Sequence, residues 1–401
     1  MNMPPLKISF TLALFFVLSQ TACSKKNDTH NATEPVIIKI GSVAPLTGPI
    51  AHLGKDNENG ARMAIDEANT AGALIGGKKV QFKLVSEDDQ QDPKIATIVA
   101  QTLVDEQVSG VIGHLNSGTS IPASKIYADA GIPEISPSAT AIAYTAQGFK
   151  TTFRVMTNDS QQGKVLGKFA VKNMGGKRIA IVDDRTAYGQ GLADEVAKAV
   201  VVAGGEVVAR EFTTNDSTDF TAILTSIKAK QPDILFYGGM DPQAVPMVRQ
   251  MHLLGLKAKF LAADGAQTAD FVRNAGPDGE GVTASSPGLP LEKMPGGKEF
   301  QAKFNAKYGQ IQNYAPYAYD AAKVMIAAME QAGSADPKVY LPVLQAITFR
   351  GVTGPISFDD KGDIKGGAVT LYQVKNGQWQ VLQTFNDTAV ASATAVVAPS
   401  K

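Results

Sequence analysis

Cysteine occurs once in the 401 residues, at Cys23, so an intramolecular disulfide is excluded and so is a thiolate cluster able to hold zinc. Histidine is nearly as scarce. His30, His52, His114 and His252 do not pair at metal-ligand spacing, and no His-Glu-x-x-His occurs, which argues against a catalytic metal. An excess of one charge is missing too: 38 Lys and Arg against 38 Asp and Glu leave a formal charge of zero, without the basic footprint that nucleic-acid phosphates require. Long apolar runs are also lacking. The longest, Ile8 to Leu18, falls short of the roughly 20 residues that cross a hydrocarbon core, and later runs are broken by Gly, Pro or charge.

With an apolar fraction of 44%, 19% charged residues, 38 Gly and 21 Pro, the chain reads as a packed globular protein of two or three domains. Residues 1–23, with Lys7 ahead of the apolar run and small and polar residues after it, read as a secretion signal. Cys23 sits directly behind that run, as the acylated cysteine of a bacterial lipoprotein does, although Gln20 stands where that pattern has Leu, and Leu18 lies five residues before the cysteine. Two readings stay open: acylation at Cys23, or cleavage nearby with the cysteine incidental. Residues 24–35 read as a polar tether and 388–401 as a low-complexity tail without structure.

From Val36 onward, short β-branched runs alternate with amphipathic helical patterns. Val36–Val43 predicts a strand, Ala61, Ala64, Ile65 and Ala68 a helix stopped by Gly72, and Val80, Phe82 and Leu84 a second strand. Pro93 opens a helix carrying Ile95, Val99 and Leu103, and strands at Val108–Ile112 and Ile132–Ile135 flank a helix near Ser120–Ala130. A second stretch, from Arg178–Val182 to Phe260–Ala262, repeats the plan. The order predicts two α/β units, each with a doubly wound parallel sheet. After Pro287 the pattern turns helical (Glu299–Tyr308, Tyr317–Ala332, Val339–Ile347), and a hairpin of Val369–Val374 and Gln378–Leu382 closes the chain at Asn376-Gly377.

Enzyme signatures fail in turn. Gly72 to Lys78 resembles a phosphate loop, but Lys79 replaces the required Ser or Thr and a strand follows instead of a helix. Gly189-Gln190-Gly191 lacks a third glycine and reads as a tight turn, and Asp359 to Asp363 reads as a solvated turn because the glutamate of a calcium loop is missing. A hydrolase would need a base near Ser117. His114 lies three residues back, which in an extended stretch aims the two side chains to opposite faces and leaves His114 a structural hydrogen bond. The stronger signal is polar loops at strand ends: Asn116 to Ser120, Ser136 to Thr140, Asp183 to Gly189, and Asp264 after Ala262-Ala263. Each hydroxyl cluster alone reads as helix capping; converging on one face, the four would hold a zwitterion, hydroxyls and N–H groups on its anion and the aspartate on its cation.

Six motifs in order carry a resemblance: Ala44-Pro45-Leu46-Thr47-Gly48-Pro49, Asp88-Asp89 with Asp92-Pro93, Ile112-Gly113-His114, Ile135 to Thr140, Tyr188-Gly189-x-Gly191, and Gly354-Pro355-Ile356-x-Phe358-Asp359. Over Val36 to Leu382 the chain resembles the periplasmic leucine/isoleucine/valine-binding proteins, the ligand receptors of branched-chain amino-acid ABC transporters. The resemblance implies a type I periplasmic binding fold, two lobes joined by three crossovers near Thr157–Asp159, Pro287 and Val369–Thr370. It assigns 36–157 with 287–369 to one lobe and 158–286 with 370–387 to the other. It implies a monomer in the periplasm, tethered if Cys23 is acylated, with a membrane permease and an amino acid as partners, no nucleic acid, no cofactor and no catalysis. Site residues carry over as Ser117 and Thr140 for the ligand carboxylate, Ser138 through its carbonyl and Asp264 for the ammonium, Tyr188 on the second lobe, and Tyr314 lining the side-chain pocket.

Three positions depart from close relatives: Leu53 and Met240 stand where they have aromatic rings, and Asp264 is one methylene shorter than the usual Glu. Fewer rings imply a larger or differently shaped side chain, since a pocket discriminates by about 1–3 kcal/mol per methylene. The positions of a disulfide found in some relatives hold Gln91 and Asn116. A sensory receptor of the same fold, or a cleft for an amide, urea or aromatic acid, are the competing expectations.

Overall fold

The computed structural model describes residue 1 and residues 34–386; Cys23, the signal segment and the tail from 388 lie outside the described residues. The first sheet comprises β1 (Val36–Ala44), β2 (Leu74–Ile75), β3 (Lys78–Asp88), β4 (Val111–Ile112), β5 (Glu134–Ser136) and β6 (Thr152–Arg154), in the order β2-β3-β1-β4-β5-β6. All its pairings are parallel except that of the short β2. Helices α1 (Ala51–Ala71), α2 (Pro93–Asp105), α3 (Ser117–Ala130) and α4 (Ile142–Ala146) connect these strands. Local chemistry sets several boundaries. Gly72 closes α1 in the left-handed region at φ 75°, and Asp92 caps α2, its carboxylate accepting from the N–H groups of Lys94 and Ile95 with Pro93 at the first turn. The strand expected over 108–112 starts later: the Val108 N–H is spent on Leu103 in closing α2, and bonding to β1 begins at Ser109, whose N–H donates to the Lys39 carbonyl.

The chain then crosses to a second sheet through α5 (Asp159–Lys172). There β7 (Arg178–Asp183), β8 (Glu206–Phe212), β9 (Ile234–Gly238), β10 (Lys259–Ala262) and β11 (Thr283–Pro287) alternate with α6 (Ala187–Val202), α7 (Thr221–Ala229), α8 (Asp241–Leu253) and α9 (Ala269–Ala275). After β11 the chain returns for α10 (Gly297–Tyr308), α11 (Ala315–Ala332), α12 (Pro337–Ala346) and the small pair β12 (Phe349–Arg350) and β13 (Pro355–Ile356). Of these, α11 lies against α1, β4 and β5 of the first sheet. A third crossing delivers the hairpin β14 (Ala368–Lys375) and β15 (Gln378–Asn386), which pairs antiparallel with β11. The second sheet runs β15-β14-β11-β10-β9-β7-β8. Two α/β layers are what the alternation predicts and the three passes of the chain between them are what the resemblance implies, with an antiparallel edge on the second sheet.

Among the elements without a counterpart in the sequence reading, two show why pattern alone misses them. Helix α5 hides behind Gly163 and Gly167, poor helix formers that are present because α6 crosses there: a Cβ at Gly163 would lie 2.4 Å from Cβ of Glu195, and one at Gly167 2.5 Å from Cβ of Ala199. Strand β11, Thr-Ala-Ser-Ser-Pro, has no alternation to detect, since all five residues are buried between two neighbouring strands.

Candidate functional site

On the first sheet, β4 and β5 end in the loops that carry Ser117, Ser138 and Thr140. Ser117 is the first residue of α3, so its spacing from His114 is not that of an extended stretch, and the two are not bonded to each other. The capping expectation fails for Ser117: its Oγ accepts from the N–H of Ala141 at 3.1 Å, tying the two loops together. Ser138 Oγ accepts from Asn57 Nδ2 at 3.0 Å and donates to the carbonyl of Leu115 at 3.1 Å. Thr140 Oγ1 is buried without a partner. Arg154, fully buried, steadies this loop by donating to the carbonyls of Ala139 (2.7 Å) and Ala141 (2.9 Å), and its Nε meets Asp363 at 2.5 Å. Asp363 therefore corrects the reading of 359–363 as a merely solvated turn. His114 is held on both ring nitrogens, 2.8 Å from Asp89 Oδ2 and 3.1 Å from the hydroxyl of Tyr127, and so serves as a buried strut.

On the second sheet, Thr186 caps α6 by accepting from Gly189 N–H, and Gly189 and Gly191 fall inside that helix and not in a tight turn. The cap brings Tyr188 to the site. Its hydroxyl donates to Asp264 Oδ1 at 2.7 Å and accepts from Gly265 N–H at 3.0 Å. Asp264 also receives Gln162 Nε2 at 2.9 Å and the hydroxyl of Tyr314 at 2.7 Å. Burial pushes its carboxyl above the ordinary range, and the three donors pull the other way. Tyr314 is aimed by Asp56 of α1, whose carboxylate accepts the N–H groups of Gln312, Asn313, Tyr314 and Ala315 at 3.0, 3.0, 2.7 and 2.9 Å.

These contacts close the space between the sheets. Tyr314 and Asn313, carried by elements against the first sheet, bond the side chain and carbonyl of Asp264; Gln312 exchanges two bonds with Asp270; and His52 Nε2 lies 2.9 Å from Asp241 Oδ2. Ser117, Ser138, Thr140, Tyr188, Asp264, Leu53, Met240 and Tyr314 are all buried, and the last two join Leu53 and Tyr188 in one apolar cluster.

Asp159 completes the picture, and sequence reasoning passed it over. As the first residue of α5 it looks like an ordinary acid at a helix N-terminus. It is instead 1% exposed, its N–H donates to the carbonyl of Thr140 at 2.9 Å, and neither carboxylate oxygen has a partner. A Cβ on Gly191 would lie 3.8 Å from Oδ2. Burial first and the Asp264 charge next push the Asp159 carboxyl up to about 7, with the adjacent Thr140 hydroxyl and Arg154 acting in the opposite sense. The only signal in the sequence was Asn158, whose side chain caps α5 and so fixes where Asp159 points into the fold.

Two α/β sheets crossed three times, with polar strand-end loops meeting across a shut cleft, define the type I periplasmic binding architecture. The chain belongs to the periplasmic binding protein family, whose model matches residues 37–378. It is 37% identical over 337 residues to a leucine-, isoleucine-, valine-, threonine- and alanine-binding protein of Pseudomonas aeruginosa, covering 84% of this chain and 89% of that one. A Leu/Ile/Val-binding protein homolog of Brucella melitensis is 37% identical over 348 residues, 86% and 92% of the two chains. Among solved structures, a leucine-binding protein of Thermotoga maritima superposes with a TM-score of 0.81 at 28% identity, covering 88% of this chain and 99% of that one. A branched-chain amino-acid transporter substrate-binding protein of Streptococcus pneumoniae, in complex with isoleucine, gives 0.80 at 28% identity, covering 87% and 99%. These are extracytoplasmic binding proteins and not enzymes, and the present chain is one of them. Among the described residues no helix is long and apolar enough to cross a membrane.

Proposed function

We propose that this protein captures a branched-chain or similarly apolar amino acid between its two sheets and delivers it to the membrane permease of an ABC transporter. One observation carries the reading: two buried groups of the shut cleft, the Thr140 hydroxyl and the Asp159 carboxylate, lie beside each other with no hydrogen bond to any third group, next to a second carboxylate, Asp264. A buried acceptor left unpaired costs about 1–3 kcal/mol, and more if charged, so the cleft favours a solute that brings donors. An ammonium brings three. In this reading the ligand carboxylate lies on Ser117, Thr140 and the N–H groups at the loop ends, the ammonium among Asp264, Asp159 and the carbonyl of Ser138, and the side chain against Leu53, Tyr188, Met240 and Tyr314. Relatives named for leucine, isoleucine and valine support the ligand class.

Closure is the selective step. The second-sheet residues meet the ligand only as the cleft shuts, and an ion buried without its partner opposes shutting, so both ends of the zwitterion must be matched. The closed form then presents both halves to the permease as a single monomer, held near the membrane when Cys23 carries a lipid. Calorimetry against leucine, isoleucine, valine, threonine and alanine tests the reading. Binding of at least one, weakened about tenfold or more by both Asp264→Asn and Thr140→Ala, is the expected result; unchanged affinity in both variants removes the site assignment.

A further inference from the structure

Helices α5 and α6 pack side by side, Gly163 against Glu195 and Gly167 against Ala199, so they run in the same direction away from the cleft, with Asp159 and Tyr188 in their first turns. Their outer faces enclose a groove of about 520 Å³. Lys164, Lys168 and Lys172 of α5 line it at one-turn intervals over about 12 Å, joined by Lys198 and Val202 of α6. The three α5 lysines are exposed and enter no ion pair among the described residues. Glu195, the carboxylate on the groove, is already matched by Lys198 at 2.7 Å. The stripe does nothing for the fold. Like charges four residues apart oppose a helix, and only Lys172, in the last turn, gains from the helix dipole. Val202 is 88% exposed at the end of α6, so a methyl surface stands in water beside the lysines.

We infer that this two-helix face docks on a bilayer surface rich in anionic phospholipid, the lysines meeting headgroup phosphates and Val202 entering the boundary beneath them. Charge complementarity and composition choose this occupant. A second copy of the chain would set lysine against lysine. Protein interfaces are rich in arginine and aromatic rings and poor in lysine, whereas this groove has four lysines, no arginine and no ring. A lipid surface responds to the number of charges and not to a fixed fork geometry, each lysine near it strengthening the attraction about fivefold. The consequence is directional. The helices belong to the second sheet, so that half is held at the surface while the first is left free to swing as the cleft shuts. The inference reaches beyond the proposed transport role, because the face exists whether or not the cleft takes leucine.

The probe is a vesicle of equal parts phosphatidylglycerol and phosphatidylcholine, with vesicles of phosphatidylcholine alone beside it. The reporter is an environment-sensitive dye on Val202→Cys in the full chain carrying Cys23→Ser; attachment through the apolar run at 8–18 leaves that dye in water. The dye should brighten saturably with the anionic vesicles and not with the neutral ones, and lose the response in about 0.5 M salt. The lipid concentration at half saturation should rise about fivefold for Lys168→Gln and about a hundredfold when Lys164→Gln and Lys172→Gln are added, with the thermal melt unchanged. No response, an equal response to neutral vesicles, or a full response in the triple variant overturns the inference. A stronger response to polyglutamate than to the anionic vesicles overturns it as well, and assigns the face to an acidic protein segment. A chain whose dye follows the lysines yet gives no heat with any amino acid would sink the transport reading and leave this one standing; leucine binding without a dye response does the reverse.

Discussion

Asp159 sets the pH behaviour of the cleft. Its carboxyl is pushed up to about 7, well above the ordinary aspartate range, so the folded, unliganded protein binds a proton that the unfolded chain releases. The sign follows: between about pH 4 and 7 the native state binds more protons than the unfolded one, so the Asp159 contribution to stability falls as pH rises through that window. An ammonium placed beside the carboxylate reverses the preference and expels the proton. Amino-acid affinity should therefore rise from pH 6 to pH 8, and calorimetry in buffers of different ionisation enthalpy should detect proton release near neutrality. In Asp159→Asn the affinity should drop, the proton release should vanish, and unliganded stability at pH 8 should increase relative to the unmodified protein. A variant with the original proton release would place the titration elsewhere, Asp184 at about 6 being the nearest alternative by value. Tyr314 acts on the partner acid. Tyr314→Phe removes the hydroxyl bonded to Asp264 Oδ2 and should cost about 1–2 kcal/mol of unliganded stability in denaturant melts, while amino-acid binding stays equal or tightens because the freed acceptor faces the ammonium. A loss of affinity beyond about tenfold would mean that the hydroxyl itself holds the ligand.

Elements explain what could be read in advance and what could not. Strands with β-branched alternation and helices with a sharp start, such as α2 behind Asp92-Pro93, stand out because local chemistry and tertiary structure agree there. Ser117, Ser138, Thr140, Tyr188 and Asp264 sit in strand-end segments that the same alternation locates, whereas Leu53, Met240 and Tyr314 were expected from the resemblance alone. Asp159 and α5 escaped for one reason: their character is tertiary. The glycines that obscure α5 are spaced to let α6 approach, and the aspartate at its start is unusual only because the Thr140 loop and α6 enclose it. The test is steric. Gly167→Val should destabilise the protein by about 1–3 kcal/mol or more, since its Cβ would also lie 2.8 Å from the Val196 carbonyl oxygen, a backbone atom with little room to yield. A melt unchanged from the unmodified protein would mean that the two helices are not held at this distance in solution.

At the scale of the whole molecule, opening and shutting are governed by few direct links between the halves, and His52 with Asp241 is the one built on a histidine. Burial lowers the imidazole pKa, but the hydrogen bond and charge of Asp241, with the charges of Asp270 and Asp56 behind it, outweigh burial and raise it above 6.5. Asp241 is fixed in turn by the Thr268 hydroxyl at 2.8 Å. A raised histidine pKa stabilises the joined state fully below about 6.5, and that support is lost as pH climbs through the folded value. The clasp thus loosens as pH rises, the direction in which Asp159 also becomes ready for an ammonium, so the empty protein should open as pH rises while the loaded protein stays shut. Small-angle scattering of the unliganded protein should show a larger radius of gyration at pH 8 than at pH 5.5, a difference that His52→Gln reduces and that saturating amino acid abolishes. Were the empty protein equally compact at both pH values, with or without His52, closure would have to rest on the neutral contacts of Asn313, Gln312 and Tyr314 alone.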